Sequence, residues 1–297
     1  NYGDRFLYNG NWVQGLSPTR NPNPNLRWEQ KQEYNIGVDF SFFKHFVTGS
    51  IDAYRRDTKD MLYDYLVPVQ PYLYSTILAN VGKMRNEGLE VLLNFNPVTT
   101  KDFSWTSGVT FSTNKNTLLS INNSEFNLSQ DWFTAGYTGE PIQTYTHRVQ
   151  VGQPIGNFYG WKSVDIDKDG VWKVLKKKGE VISIKDANED DKRILGNGLP
   201  KYYLSWNNSF RYKQFDLSIN MHGAFDYQVL DFLRLFYENP RNAQYNMLKS
   251  AFDNVYNKAQ LDYDLSYVSY YLENGDYWKI DNITLGYTIP LKNKKTS

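Results

Sequence analysis

Residues 32–42, QEYNIGVDFSF, alternate between apolar and polar side chains without a break. Tyr34, Ile36, Val38, Phe40 and Phe42 fall on one face, and Glu33, Asn35, Gly37, Asp39 and Ser41 on the other. A period of two predicts a β-strand with one apolar and one polar side. The ladder recurs along the chain. It predicts nine strands, over residues 31–42, 46–66, 80–96, 103–119, 142–151, 157–165, 201–212, 215–227 and 276–290. In the second, Val47, Gly49, Ile51 and Ala53 oppose Thr48, Ser50 and Asp52; in the third, Leu89, Val91, Leu93 and Phe95 oppose Glu90, Asn94 and Asn96. Within the charged stretch 166–200, VWKVLKKKGEVISIK reads as a small hairpin turning at Lys178-Gly179. Residues 228–274 form a long connection, helical at VLDFLRLFYENP.

The connections sort by length. Those after the first, third, fifth and seventh strands are tight, as at Phe43-Lys44-His45 and Lys213-Gln214. Those after the second, fourth, sixth and eighth are long, so an antiparallel meander carries every long loop on one side. Spanning-length strands with short turns at one end and long loops at the other predict an antiparallel transmembrane β-barrel segment, its short turns periplasmic and its long loops extracellular. A soluble β-sandwich, serving as a carbohydrate-binding module or a glycoside hydrolase, is the alternative. Its strands are ordinarily shorter, at about 5–6 residues, and its loops have no reason to sort.

Composition narrows this further. Mean hydropathy is −0.62, so no helical span of ~20 apolar residues is present, whereas a barrel strand needs only about 10 with half of them polar. The 24 Tyr, 17 Phe and 8 Trp suit both strands and the aromatic girdles of a barrel. A net charge of +1 argues against a nucleic-acid partner. The absence of cysteine excludes a disulfide scaffold and thiolate metal sites. No signal peptide opens the sequence, which begins abruptly at NYGDRFLYNG.

Seven phrases, in order, resemble the SusC/RagA-type TonB-dependent outer-membrane proteins. Asn23-Pro24-Asn25-Leu26-Arg27-Trp28-Glu29 is similar to their NPxLxWE phrase, and Asn35-Ile36-Gly37-Val38-Asp39-Phe40 to NIGxDF. Gly49-Ser50-Ile51-Asp52-Ala53-Tyr54 and the segment from Asn80 to Glu90, NVGKMRNEGLE, continue the series. VGQPIGNFYG from Val151, NSFRYKQFDLS from Asn208 and ITLGYTIP from Ile283 complete it. The resemblance implies a 22-stranded barrel around an N-terminal plug, in the outer membrane of a Gram-negative bacterium. It also implies a SusD-like surface lipoprotein as lid, energy from the TonB–ExbB–ExbD system acting on the plug, and import of glycans or peptides. Residues 1–297 would then be a partial barrel domain of about nine strands, without the plug and the closing strands that should follow KNKKTS.

Candidate chemistry is sparse. Asp165, Asp167, Asp169 and Gly170 match the start of a calcium loop, but the twelfth position, where a bidentate Glu belongs, is Lys176. A solvated acidic loop is the better reading there, and also at Asp186, Asn188, Asp190 and Asp191. His45, His147 and His222 have no metal-ligand spacing, and there is no nucleophile elbow or phosphate-cradling loop. No enzyme, cofactor or metal is expected. Lys176, Lys177 and Lys178 read as a solvated hairpin tip. The loop aromatics Tyr72, Tyr74, Trp132, Phe133 and Tyr137 are the candidate contacts, stacking on a solute or meeting a lid protein. Packing of the loops on themselves is the other reading of the same rings.

Overall fold

The computed structural model describes residues 5–15, 18–126 and 130–290. Seven long strands form one antiparallel meander: β1 (Gln30–Phe42), β2 (Val47–Leu66), β3 (Thr76–Thr99), β4 (Phe103–Ser120), β5 (Tyr202–Tyr212), β6 (Phe215–Phe225) and β7 (Tyr277–Tyr287). They pair strictly in chain order, from β1 at one edge to β7 at the other. Tight turns at 43–46, 100–102 and 213–214 share one end, and the connections 67–75, 121–201 and 226–276 share the other. The first turn holds Phe43, Lys44 and His45 in three consecutive left-handed conformations.

Register carries the alternation from strand to strand. Ile36 lies beside Ala53, which lies beside Leu89; Val38 beside Ile51 and Val91; Leu93 beside Val109, then Trp206 and Met221. The apolar residues of all seven strands therefore share one face. No second sheet among the described residues covers it: Ile36 is 75% exposed and Leu285 72%. A soluble β-sandwich would bury these residues between two sheets, and the described residues form no such sandwich. From Tyr34 to Phe42 the ladder runs about 27 Å along the strand, or roughly 20 Å along the membrane normal at a tilt near 40°, close to the ~25 Å lipid belt of outer-membrane barrels.

Aromatic rings bound the belt at both ends. At the short-turn end Phe40 stacks with Phe42, Trp105 with Phe210, and Phe215 meets Tyr287 at 4.7 Å between ring centroids. Toward the long loops Phe111 stacks with Tyr202 and Phe225 with Trp278.

Two of the nine expected strands are not in this wall. Residues 142–151 and 157–165 contribute Tyr145–Gln150, Asn157–Gly160 and Ser163–Ile166 to two small sheets beyond the rim. The first two join Trp132–Tyr137 and Arg193–Asn197, and the third joins the Trp172–Leu175 and Val181–Ser183 hairpin. These strands are four to six residues long, short of the ~9–11 needed to span a bilayer. Their alternation reflects a half-buried position in a small sheet, not a lipid face. The wall is thus seven strands, and the one-sided sorting of loops survives the correction.

The larger buried core also lies outside the wall, while a smaller one, Tyr65, Ile77, Ala79 and Val81, sits at the long-loop ends of β2 and β3. Ile166, Val171, Trp172, Val174 and Ile184, from the connection after β4, pack with Leu235, Val255, Leu261, Val268 and Tyr271, from the connection after β6. Trp172 is fully buried, with Tyr271 and Tyr256 edge-on to its ring. Ser269 N–H donates to the Trp161 carbonyl and Asp262 N–H to that of Gly170, so two connections far apart in sequence form one folded body at the long-loop end. The expected helical stretch is a short helix, Phe232–Tyr237, capped by Asp231.

Candidate functional site

The polar face of the wall lies opposite the belt. A trough of about 360 Å³ runs across β3–β6, lined by Asn94, Thr106, Thr110, Asn207, Ser209 and Asn220 among others. Short hydroxyl and amide side chains give it donors and acceptors without fixed charge. Nearer the long loops the face becomes charged and cross-linked. Arg56 donates to Glu33 at 2.8 Å, Tyr54 Oη donates to Asn114 at 3.1 Å, and Asn86 accepts from both Asn114 and Asn116. On β7 a bulge at Asp281 turns that carboxylate onto His222. Tyr54 packs over Gly88, where a Cβ would stand 2.8 Å from its hydroxyl oxygen and collide with the Thr113 carbonyl.

Above the wall, a cleft of about 240 Å³ is lined by Tyr63, Tyr65, Leu66, Gln130, Trp132, Phe133 and Thr134. The structure thus brings together two of the five expected loop aromatics and adds two tyrosines from the end of β2. Phe133 packs on Tyr63 at 4.8 Å between centroids. The Trp132 ring is fixed by Arg148, whose guanidinium carbon sits 3.7 Å from its centroid and 4.1 Å from that of Tyr159. Such a sandwich is a cation–π contact on both faces of the guanidinium. The other three rings lie elsewhere. Tyr72 packs against the Tyr65, Ile77, Ala79 and Val81 cluster, and the Tyr74 hydroxyl donates to the Pro18 carbonyl. Tyr137 pairs with Tyr145 at 5.2 Å, both rings exposed. Tyr63 and Tyr65 escaped the sequence reading because they stand at the end of an alternating strand, where their rings count as wall.

The family described as "TonB dependent receptor-like, beta-barrel" matches residues 1–296. The chain belongs to this family. TonB-dependent receptor SusC of Bacteroides thetaiotaomicron is 28% identical over 281 residues, covering 90% of this chain and 26% of that protein. TonB-dependent receptor P3 of Formosa agariphila is 25% identical, covering 94% of this chain and 29% of that protein. Among solved structures, the RagAB peptide importer in its "open-open" state superimposes with a TM-score of 0.77 at 20% identity, over 97% of this chain and 31% of that chain. The chain spans less than a third of the length of these relatives. Members of this family are outer-membrane β-barrels of Gram-negative bacteria and not enzymes, and the uncovered belt is the lipid face of this one.

The phrases that resemble that family, together with Asn21 just ahead of the first, are tied into the structure by side-chain amides. Asn21 Nδ2 donates to the carbonyls of Tyr74 and Thr76, and Asn23 Nδ2 to that of Leu78. Asn80, at the start of NVGKMRNEG, accepts from Arg27 N–H at 3.0 Å and donates to the carbonyls of Arg27 and Asp60. One phrase is therefore stitched onto another across some fifty residues of sequence.

The remaining candidates resolve into local structure. Asp165 is paired with Lys258, which holds its carboxyl below the usual carboxylate range. Asp167 accepts from the backbone of Asp169 and Val171, closing its own turn. Asn188 and Asp191 form a capping box, and Lys176 pairs with Glu180 across the expected hairpin tip. His45 contacts Ser41 in the first turn. His147 packs on Phe158 in the extracellular body, where burial lowers its pKa.

Proposed function

We propose that residues 1–297 are part of the barrel domain of an outer-membrane TonB-dependent importer for oligosaccharides or peptides. The plug and the strands that complete the barrel belong to the rest of the protein. The observation that carries this reading is the wall itself: one continuous apolar face, one polar trough, and a folded mass on a single rim. Lipid meets the first, the solute and plug meet the second, and the third receives a SusD-like surface lipoprotein acting as lid. Energy comes from the TonB–ExbB–ExbD system through the plug. The RagAB structures belong to a peptide importer, and the aromatic cleft suits either a sugar face or an apolar peptide side chain.

Within the extracellular body, Trp132 and Phe133 contact the solute. Tyr137, exposed beside Tyr145, contacts the lid. Tyr72 and Tyr74 hold the rim in shape behind them. The test uses the full-length protein in its native host: outer-membrane fractionation, co-purification of a surface lipoprotein, and growth of a deletion strain on oligosaccharides or on peptides as sole nutrient. Impaired growth on one class, restored by the intact gene and only weakly by Trp132→Ala, is the expected outcome. A product that stays soluble without detergent and never enters the outer-membrane fraction would overturn it.

A further inference from the structure

At the upper limit of the lipid belt, on the same outward face, the register places a charged row: Tyr34 on β1, Arg55 on β2, Glu87 on β3 and Lys115 on β4. The row below it is Ile36, Ala53, Leu89, Thr113 and Tyr202, still belt. The row above is Gln32, Asp57, Arg85 and Thr117. In that upper row Arg85 is fully occupied, binding both oxygens of Asp57 at 2.7 and 2.9 Å. The two cations of the lower row are held loosely. Arg55 reaches Asp57 only at 3.6 Å, and Lys115 stands 3.9 Å from Glu87 with 76% of its side chain exposed.

The row ends at a notch in the wall. β4 and β5 pair no further than Thr113 and Tyr202. Beyond that point the edge of β4 is bridged by the 152–155 turn, with Gly152 N–H donating to the Leu118 carbonyl and Ile155 N–H to Asn116 Oδ1. The space left between them is about 460 Å³, lined by Thr113, Lys115, Thr117, Pro154, Leu199 and Tyr202 among others. Pro154, Leu199, Pro200 and Tyr202 beside the belt, amide side chains such as Asn116 and Asn197 opposite them, and outward Lys115 on the rim describe a seat for an amphiphile with an anionic head.

We propose that this notch, with Lys115 and Arg55, binds the phosphate-bearing headgroup of an outer-leaflet glycolipid, its acyl chains lying on the belt below. Charge complementarity selects the phosphate, and continuity with the lipid face selects a membrane lipid over a soluble anion. A cation near a membrane surface attracts anionic lipid strongly enough to change affinity about fivefold each.

The test is native mass spectrometry of the full-length protein in mild detergent, titrated separately with bisphosphorylated lipid A, its dephosphorylated form and inorganic phosphate. Retention of the phosphorylated lipid is expected to fall roughly fivefold in Lys115→Gln and about twenty-five-fold in Lys115→Gln with Arg55→Gln. Lys101→Gln with Lys213→Gln, at the short-turn end, should leave it unchanged. Lys115 is so exposed that the single variant leaves folding intact, which keeps the test informative if the double variant misfolds. Equal retention of both lipids, equal loss in the short-turn variant, or displacement by inorganic phosphate would overturn the proposal. It rests on the membrane reading above, but a protein that fractionates with the outer membrane and ignores lipid phosphate would sink the notch alone.

Discussion

Asn80 shows how a single buried amide ties two distant segments of the chain together. It is 6% exposed and satisfies one backbone donor and two carbonyls with its own donors and acceptor. Asn80→Ala leaves those groups unpartnered where water reaches them poorly, at a cost of about 2–3 kcal/mol, visible as a lower urea midpoint. His147 offers a second test at this scale. Burial lowers its pKa from the ordinary 6.5, so the folded protein binds a proton less readily than the unfolded chain. As pH falls below about 6.5, the unfolded state takes up a proton that the folded state resists, and stability declines until the folded-state pKa is passed. His147→Gln should remove that component of the acid sensitivity of the extracellular body, measured by its protease resistance between pH 7.5 and 5. Neither role was legible from sequence: Asn80 read as a motif letter and His147 as a lone histidine, because their partners come from distant segments.

The strand is the scale at which this chain speaks most clearly. β1, β4, β5 and β6 begin and end within one or two residues of where alternation places them, since each is two-faced along its whole length. β3 runs on to Thr99 and starts at Thr76, beyond its clean alternation, because backbone pairing continues through bulges where the side-chain pattern has lapsed, with β2 at the Thr76 end and with β4 at the Thr99 end. The short hairpin Arg5–Tyr8 with Asn11–Gln14 was missed, although Asn9-Gly10 between its strands is a strong two-residue turn signal. Alternation also makes a sharp prediction. Leu93→Arg places a charge in the middle of the lipid face and should cost ~2–4 kcal/mol, whereas Asn94→Arg, one residue along and facing the trough, should be tolerated. Heat-modifiable migration of the outer-membrane fraction separates the two; equal behaviour would mean that this face does not meet lipid.

At the scale of the whole molecule, the belt and the extracellular body are held by different physics. The wall is held by strand pairing and by lipid, the body by a water-excluded core around Trp172. Trp172→Ala should cost about 3–5 kcal/mol and loosen only the body. Limited trypsin treatment of intact cells is expected to cut residues 121–201 and 226–276 in the variant, while the wall still shows its heat-dependent shift. Simultaneous collapse of both would show that the wall depends on its loops.

Periodicity, loop sorting and aromatic content made the two-faced strands and the one-sided long loops legible and favoured a membrane wall over a sandwich, because side-chain alternation in a strand is a local property that needs no partner to be visible. Which strands enter that wall was decided only in three dimensions. Tyr145–Gln150 alternates as well as a barrel stave, and only its pairing with Trp132–Tyr137 shows that it stands outside the membrane. The same holds for the cleft, the notch and the joined extracellular body: each forms where segments many residues apart meet, and hydrophobic burial between distant segments leaves no mark on either one alone.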